Sequence, residues 1–241
     1  RQIEQAVKKQ RNFLKESLKR KKLQWIRPSD IPDIMSFLGD YDDDILSNSL
    51  GCLCYFSRAN SRAVFSAMKA DEDFFIEKIK NLLNRITDKE IKLNFLSFVS
   101  SFYENLYRGK KAKEFVEKFG RALIEDIMST IADGSDNSLK IMTLFCFLKN
   151  RSESRTFFRQ HYLDSFISLS PSIVEQNSSS SELIIYVVGL TVSTKKDYKV
   201  FLVEILKIIY KRTDFQALGE LTNEFRSVLM DNLDETREAG C

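Results

Sequence analysis

Apolar residues along this chain gather in short segments of two alternating kinds. In the first kind they recur at i, i+3, i+4 and i+7, as Ile31, Ile34, Met35 and Leu38 do. This spacing places them on one side of an α-helix, so each segment is predicted to be a helix with one buried face. The segments of this first kind cover 31–39, 74–83, 123–131, 163–169 and 201–209.

The second kind of segment is apolar on nearly every side, which is typical of a helix enclosed by its neighbours. These segments cover 45–56, 91–102, 139–148 and 182–191. Shortly before each of them comes a polar turn that ends close to an Asp, Asn or Ser. Such residues cap a helix by accepting a hydrogen bond from a free N–H group, so we predict four buried, capped helices.

Together the segments form an internal repeat. Those of the first kind start at 31, 74, 123, 163 and 201, which is 43, 49, 40 and 38 residues apart. A third, shorter helical segment follows each buried helix, at 61–70, 111–120, 154–162 and 195–206. A three-helix unit cannot bury its own apolar face, so such units stack on one another. The sequence therefore predicts an all-α solenoid.

Composition agrees with this fold class. The 241 residues include only 8 Gly and 3 Pro, too few for the closely spaced turns of a β-sandwich or barrel. No apolar run reaches the ~18 residues that span a bilayer, so we expect no transmembrane segment. The net charge of +3 makes no strong demand for a nucleic-acid partner. Four cysteines without a metal-binding pattern suit a reducing compartment, and we expect a cytoplasmic or nuclear protein.

The cations concentrate ahead of the first repeat. Residues 8–22 contain eight Lys or Arg and one Glu. We predict a basic amphipathic helix over 3–25, within an N-terminal region 1–27 that precedes a repeat domain at 28–241. The basic segment proper consists of Lys15, Lys19, Arg20, Lys21 and Lys22, and the apolar side of the helix of Ile3, Val7, Leu14, Leu18 and Trp25.

Three interpretations of the basic helix remain open at the level of sequence. It caps the first repeat, since solenoids need a polar outer end and long Lys and Arg side chains cover apolar surface with their stems. It is a localisation signal or a segment that binds a transport factor. It docks on anionic lipid or on RNA.

The repeat pattern resembles armadillo repeats, over roughly residues 31–210. The stretch 31–68 resembles one armadillo unit: a second helix, an acidic turn, a long third helix and the short first helix of the next repeat. The Ile-Pro-led helix that ends in Phe-Leu-Gly, and the basic segment ahead of it, are similar to importin-α. The resemblance implies a right-handed superhelix of four to five three-helix repeats.

The resemblance also implies a concave groove that binds a partner peptide or helix. The second kind of segment would line it, and its polar or aromatic residues there are Asn48, Tyr55, Asn94, Ser97, Ser101 and Lys149. Importin-α-like proteins clamp a basic peptide with a Trp and an Asn four residues later on each third helix. No Trp-x-x-x-Asn pair occurs in this chain. We therefore expect an armadillo-like groove with a different kind of partner.

No pattern of residues predicts catalysis, a metal site or a cofactor. The single histidine, His161, is expected at a helix end or partly buried rather than as a catalytic base. The carboxylates between Asp40 and Asp44 lack the ligand spacing, Gly and Glu of an EF-hand loop, so a helix-capping turn is predicted there. Cys52 and Cys54 are two residues apart and point about 200° from each other on a helix, so they cannot share a metal.

These features predict a non-enzymatic interaction scaffold or adaptor with a protein partner in its groove. The alternatives are a nuclear-transport adaptor whose basic segment binds a transport factor, a nucleotide-exchange co-chaperone of a heat-shock chaperone, and a nucleic-acid binder through the basic helix. A homodimer through the end repeats is a further partner that the pattern allows.

Overall fold

The all-helical prediction is confirmed for the part of the chain that the computed structural model describes: residues 2–20, 26–105, 110–132, 137–176, 181–192 and 195–211. The chain forms two compact units, Arg1–Asp126 and Ile127–Cys241. The helices of the first unit are α1 Gln2–Lys19, α2 Ile31–Ser36, α3 Asp43–Ala59, α4 Ser61–Ala70, α5 Glu72–Arg85, α6 Lys89–Asn105 and α7 Lys110–Thr130. The boundary between the units falls within α7. The remaining helices are α8 Ser138–Asn150, α9 Ser152–His161, α10 Leu163–Gln176, α11 Ser181–Thr191 and α12 Lys195–Lys211.

All four predicted buried helices are present. They are α3, α6, α8 and α11, and each contains residues with almost no exposed surface, such as Leu50, Phe95, Leu144 and Ile184. In the first unit α3 packs along α6, and in the second unit α8 packs along α11. Each of the four helices packs against more than one neighbour, as their apolar character predicted, but Tyr55, Leu93 and Tyr186 on them are exposed, so none of α3, α6 and α11 is enclosed on every side.

The predicted break before the segment 123–131 is wrong, because α7 runs through it. Gly120 is the only helix breaker there. A single glycine costs a helix about 1 kcal/mol, which packing outweighs. Phe115, Phe119, Leu123 and Ile127 form one continuous buried stripe at four-residue spacing across it. In α12, the segments beginning at 195 and 201 likewise form one helix.

The segment 31–39 is less regular than its periodicity predicts. The short α2 lies between two 3₁₀ turns, Pro28–Asp30 and Phe37–Gly39. Pro32 stands at the beginning of α2, where a missing N–H is tolerated. Ile31, Ile34 and Leu38 are nevertheless buried, so the predicted one-sided burial is confirmed.

The basic helix is shorter than predicted. α1 ends at Lys19, and Lys21, Lys22 and Trp25 lie outside the described residues. Leu14 and Leu18 are buried and α1 packs against α3. Val7 was expected on the same apolar side but is 57% exposed, whereas the buried residues of that side, Leu14 and Leu18, lie in the C-terminal half of α1.

Aromatic rings fill the core of the first unit. Phe119 of α7 stacks on Phe75 of α5 with ring centres 5.5 Å apart, and it meets Phe102 of α6 edge-on at 5.8 Å. Phe98 of α6 belongs to the same cluster, because its ring contacts those of Phe75 and Phe102. Edge-to-face and offset contacts of this kind add to the stabilisation from area burial. The cluster ties α5, α6 and α7 together.

Aspartate and asparagine caps begin several helices, as predicted. Asp42 accepts a hydrogen bond from the Ile45 amide at 3.3 Å, and Asp88 one from the Ile91 amide at 3.0 Å. Asn137, at the start of α8, is the exception, because its buried side chain makes no cap bond.

Candidate functional site

Polar side chains join α3 to α6 in register. The Asn94 amide donates to the Ser47 hydroxyl at 2.8 Å, and seven residues further along both helices Cys54 Sγ lies 3.4 Å from Ser101 Oγ. Both pairs are 47 residues apart in the chain. A constant separation over two helical turns means that α3 and α6 run parallel, with equivalent positions side by side.

Two of the predicted groove residues therefore make hydrogen bonds to other residues of this chain. Asn94 is bonded to Ser47, and Ser101 is buried and accepts a further hydrogen bond from Arg58 Nε at 2.9 Å. A third, Asn48, donates to the Leu18 carbonyl at 2.9 Å and to the Asp44 carbonyl at 2.8 Å. Asn48 thus fastens the end of α1 to α3.

Tyr55 and Ser97, by contrast, face solvent. Tyr55 on α3 is 63% exposed and Ser97 on α6 is exposed. Leu93, which was not among the predicted groove residues, is 54% exposed one turn before Ser97. It lies within an almost wholly apolar segment, so only the four-residue spacing to Ser97 indicated its position.

These residues lie on one side of the helix pair. Tyr55 is one position after Cys54 and Leu93 one before Asn94, so in two parallel helices joined through Cys54 and Asn94 both turn toward the same side. A β-carbon added at Gly51, one turn before Tyr55, would meet no atom within 4 Å. We name the set Gly51, Tyr55, Leu93 and Ser97 the α3–α6 surface.

The sixth predicted groove residue lies in the second unit. Lys149 of α8 is exposed, and its ammonium lies 5.9 Å from the centre of the Phe145 ring. Phe145 in turn contacts Tyr186 of α11, which is 39% exposed, with 6.1 Å between ring centres. Phe145 and Tyr186 were not predicted. Aromatic residues in an apolar helix give no signal in sequence of which one faces out.

The basic segment lies against the acidic turn that follows α2. Lys15 Nζ is 2.6 Å from Asp40, and Lys19 Nζ is 2.9 Å from Asp42. Arg20 pairs with Glu16 of its own helix at 3.4 Å. The predicted capping turn is thus confirmed and also binds the basic helix. Lys21 and Lys22 lie outside the described residues.

The Lys19–Asp42 contact shifts both groups toward their charged forms. The hydrogen bond from Lys19 lowers the pKa of Asp42 below its usual 3.8, against an opposing effect of burial. The same hydrogen bond raises the pKa of Lys19. Both groups therefore stay ionised at neutral pH.

The side chains that could take part in catalysis or bind a metal show no arrangement suited to either role within the described residues. His161 ends α9, as predicted, with its ring 4.8 Å from that of Phe157. Burial raises the pKa of the Cys52 thiol to about 12, which suppresses the reactive thiolate. Within the described ranges, no three His, Cys, Asp or Glu side chains are grouped closely enough to hold a metal ion.

None of the helices in the described part of the chain combines the length and apolar character needed to cross a membrane. Comparisons of the chain with protein-family models, with curated proteins and with solved structures found no match.

Proposed function

We propose that this chain is a non-enzymatic interaction module, an armadillo-like α-solenoid that binds a helix or peptide of a partner protein on its α3–α6 surface. The exposure of Tyr55 beside the open position Gly51, with Leu93 on the neighbouring helix, is the observation on which the proposal depends.

Contacts at one repeated chain separation support the solenoid arrangement in the first unit. Arg85 donates to the Asp40 carbonyl across 45 residues, and Lys118 bonds Glu72 and Asp73 across 46 and 45 residues. The α3–α6 bonds span 47 residues. These separations agree with the spacing of the apolar segments along the sequence. In a solenoid each repeat contacts only its neighbours, so contacts one period apart are its signature.

The composition of the α3–α6 surface supports a protein partner. Tyrosine is enriched at the energetic centres of interfaces because it offers a large rigid area at low entropic cost. Gly51 leaves room for a partner's side chain to approach the α3 backbone beside Tyr55. A preformed helical surface also loses little conformational entropy on binding.

The partner that fits is an amphipathic segment with apolar anchors. The side chains of Asn94 and Ser101 are hydrogen-bonded to Ser47 and Arg58 of this chain. The Asn94 amide is therefore not free to bind a peptide backbone as the groove asparagines of importin-α do. Tyr55 and Leu93 offer apolar area instead. An apolar face at helical spacing is the complementary pattern.

An affinity pull-down from lysate tests the proposal. We expect the double variant Tyr55→Ala/Leu93→Ala to lose partners that wild-type retains, because truncated interface anchors typically cost about 2 kcal/mol or more each. Tyr41→Ala is the matched control, since Tyr41 is an equally aromatic residue that is 88% exposed on the turn before α3 and is not part of the α3–α6 surface. Identical partners for wild-type and both variants would refute the surface.

The transport-factor and nucleic-acid alternatives depend on the basic helix rather than on this surface. Deleting 1–26 would also remove Leu14 and Leu18 from the core, so neutralising Lys8, Lys9, Lys21 and Lys22 to Gln is the cleaner test. Partners lost only in that variant would favour one of these two alternatives. Strong salt dependence together with recovered RNA would favour the nucleic-acid one.

A further inference from the structure

A basic cleft of about 300 Å³ lies between α1, the 3₁₀ turn Phe37–Gly39 and α5. Its lining includes three cations, Arg11, Lys15 and Lys78, and one carboxylate, Asp40. The formal charge of these four groups is three positive minus one negative, an excess of two positive charges. Such an excess of positive charge in a cleft attracts anions.

The carboxylate is already matched. Lys15 Nζ lies 2.6 Å from Asp40. Burial acts to raise the pKa of Asp40, but the Lys15 bond and nearby amide donors outweigh burial and lower it, so Asp40 stays ionised and paired. The uncompensated charge therefore belongs to Arg11 and Lys78.

Arg11 is held in place with donors to spare. One of its terminal nitrogens donates to the Ser36 hydroxyl at 3.0 Å, and its guanidinium lies 5.5 Å from the centre of the Phe37 ring. A guanidinium has five N–H donors, and this contact uses one of them. A fixed, planar fork of this kind suits bidentate binding of a phosphate.

Lys78 approaches the same place from α5. Its ammonium lies 5.0 Å from the centre of the Phe74 ring, and none of the described residues offers it a carboxylate partner. A β-carbon at Gly39 would collide with Lys78 Nζ, so the glycine makes room for the charged head beside residue 40. Two cations for which the described residues provide no carboxylate partner thus face a cleft that also contains the Asn12 amide and the Ser36 hydroxyl.

We propose that this cleft binds the phosphoryl group of a small phosphomonoester. A phosphomonoester carries a charge of about −1.5 to −2 at pH 7, which matches the excess of two positive charges, whereas a single carboxylate would leave one cation unmatched. The volume lies at the lower end of ligand sites, which range from about 300 to 1,000 Å³, and suits a small ligand. The site is additional to the α3–α6 surface and does not depend on it.

Calorimetric titration with O-phosphoserine at constant ionic strength tests the site. We expect wild-type to bind and Lys78→Gln to bind about tenfold or more weakly, since hydrogen bonds to charged groups contribute that much. Lys78→Arg, which keeps the charge, should restore most of the affinity. Lys80→Gln is the matched control, because Lys80 is on the same helix but pairs with Glu77 at 3.0 Å. Thermal melts confirm that each variant is folded.

A second arm separates the two sources of the phosphate. Phosphatidylcholine vesicles with and without phosphatidic acid present the same group on a lipid. Phosphoserine binding that Lys78→Gln weakens supports the cleft, and vesicle binding that the same variant weakens extends the site to a lipid headgroup. No phosphoserine binding by wild-type, or equal binding by Lys78→Gln and Lys80→Gln, would overturn the proposal. Vesicle binding that Lys78→Gln leaves unchanged would place lipid contact elsewhere and overturn the lipid source.

Discussion

At the scale of single residues, Asp42 joins two parts of the first unit. Its carboxylate accepts the Ile45 amide bond that begins α3 and lies 2.9 Å from Lys19 of α1. Asp43, the next residue, is exposed in the first helical turn and makes no side-chain cap bond. Substituting each aspartate in turn therefore distinguishes two contributions to stability: the capping hydrogen bond and the negative charge near a helix N-terminus.

We predict that Asp42→Ala lowers the free energy of unfolding by about 1 kcal/mol, the usual cost of a lost cap, and that Asp43→Ala lowers it less. Urea melts followed by circular dichroism at pH 7 measure both. An equal effect of the two substitutions would contradict the role given to Asp42.

Acid should reduce the difference in stability between wild-type and Asp42→Ala. The pKa of Asp42 is lowered in the folded protein, chiefly by the Lys19 hydrogen bond, so folding favours the ionised form. The stabilisation is then complete above the usual pKa of 3.8 and is lost as the pH falls through the lower folded value. We expect the gap between wild-type and Asp42→Ala to close progressively below about pH 4. A gap that persists undiminished at pH 2 would show that the carboxylate charge is irrelevant.

At the scale of helices, the buried segments decide stability. Phe98 on α6 is 1% exposed and contacts Phe75 and Phe102. We predict that Phe98→Asp costs roughly 3 kcal/mol or more, because it places an unpaired charge in an aromatic core. Ser97→Asp, one residue away on the exposed side, is the control and should change stability by less than about 0.5 kcal/mol.

Leu144, which has no exposed surface, is a comparably buried position in α8 of the second unit. We expect Leu144→Asp to cost a similar amount, roughly 3 kcal/mol or more. Thermal melts of each variant measure the effects. Wild-type-like melts for Phe98→Asp and Leu144→Asp would mean that α6 and α8 are not the buried helices described.

Periodicity in the sequence was enough to predict where the buried helices lie, because a helix that packs against several neighbours requires apolar residues on most of its sides. The capping turns followed from local chemistry in the same way, as Asp42 and Asp88 illustrate. The continuity of α7 could not be predicted, since whether Gly120 ends a helix depends on the packing of Phe119 and Leu123 against distant residues.

The candidate surface was predictable only in part. Tyr55 and Ser97 face solvent as expected, but Asn94 and Ser101 bond to residues some 47 positions away. Such pairings depend on the register between two helices, which is set by tertiary packing. The exposure of Leu93 and the grouping of Arg11 with Lys78 arise from the same cause.

At the scale of the whole molecule, polar side chains bond neighbouring helices in register, while apolar and aromatic side chains of the same helices are exposed. The first unit has Tyr55 and Leu93 exposed on α3 and α6, and the second unit has Tyr186 exposed beside Phe145 on α11 and α8. Each unit thus has an exposed aromatic ring on its pair of neighbouring apolar helices, α3 with α6 in the first unit and α8 with α11 in the second.

Photo-cross-linking from position 55 tests the central claim most directly. A photoreactive phenylalanine analogue at Tyr55, and in a separate protein at Tyr41, would be activated in lysate. We predict a discrete protein adduct from position 55 that is absent from position 41 and is lost when Leu93→Ala is added. The same adducts from both positions, or an adduct from position 55 that Leu93→Ala leaves unchanged, would contradict binding on the α3–α6 surface.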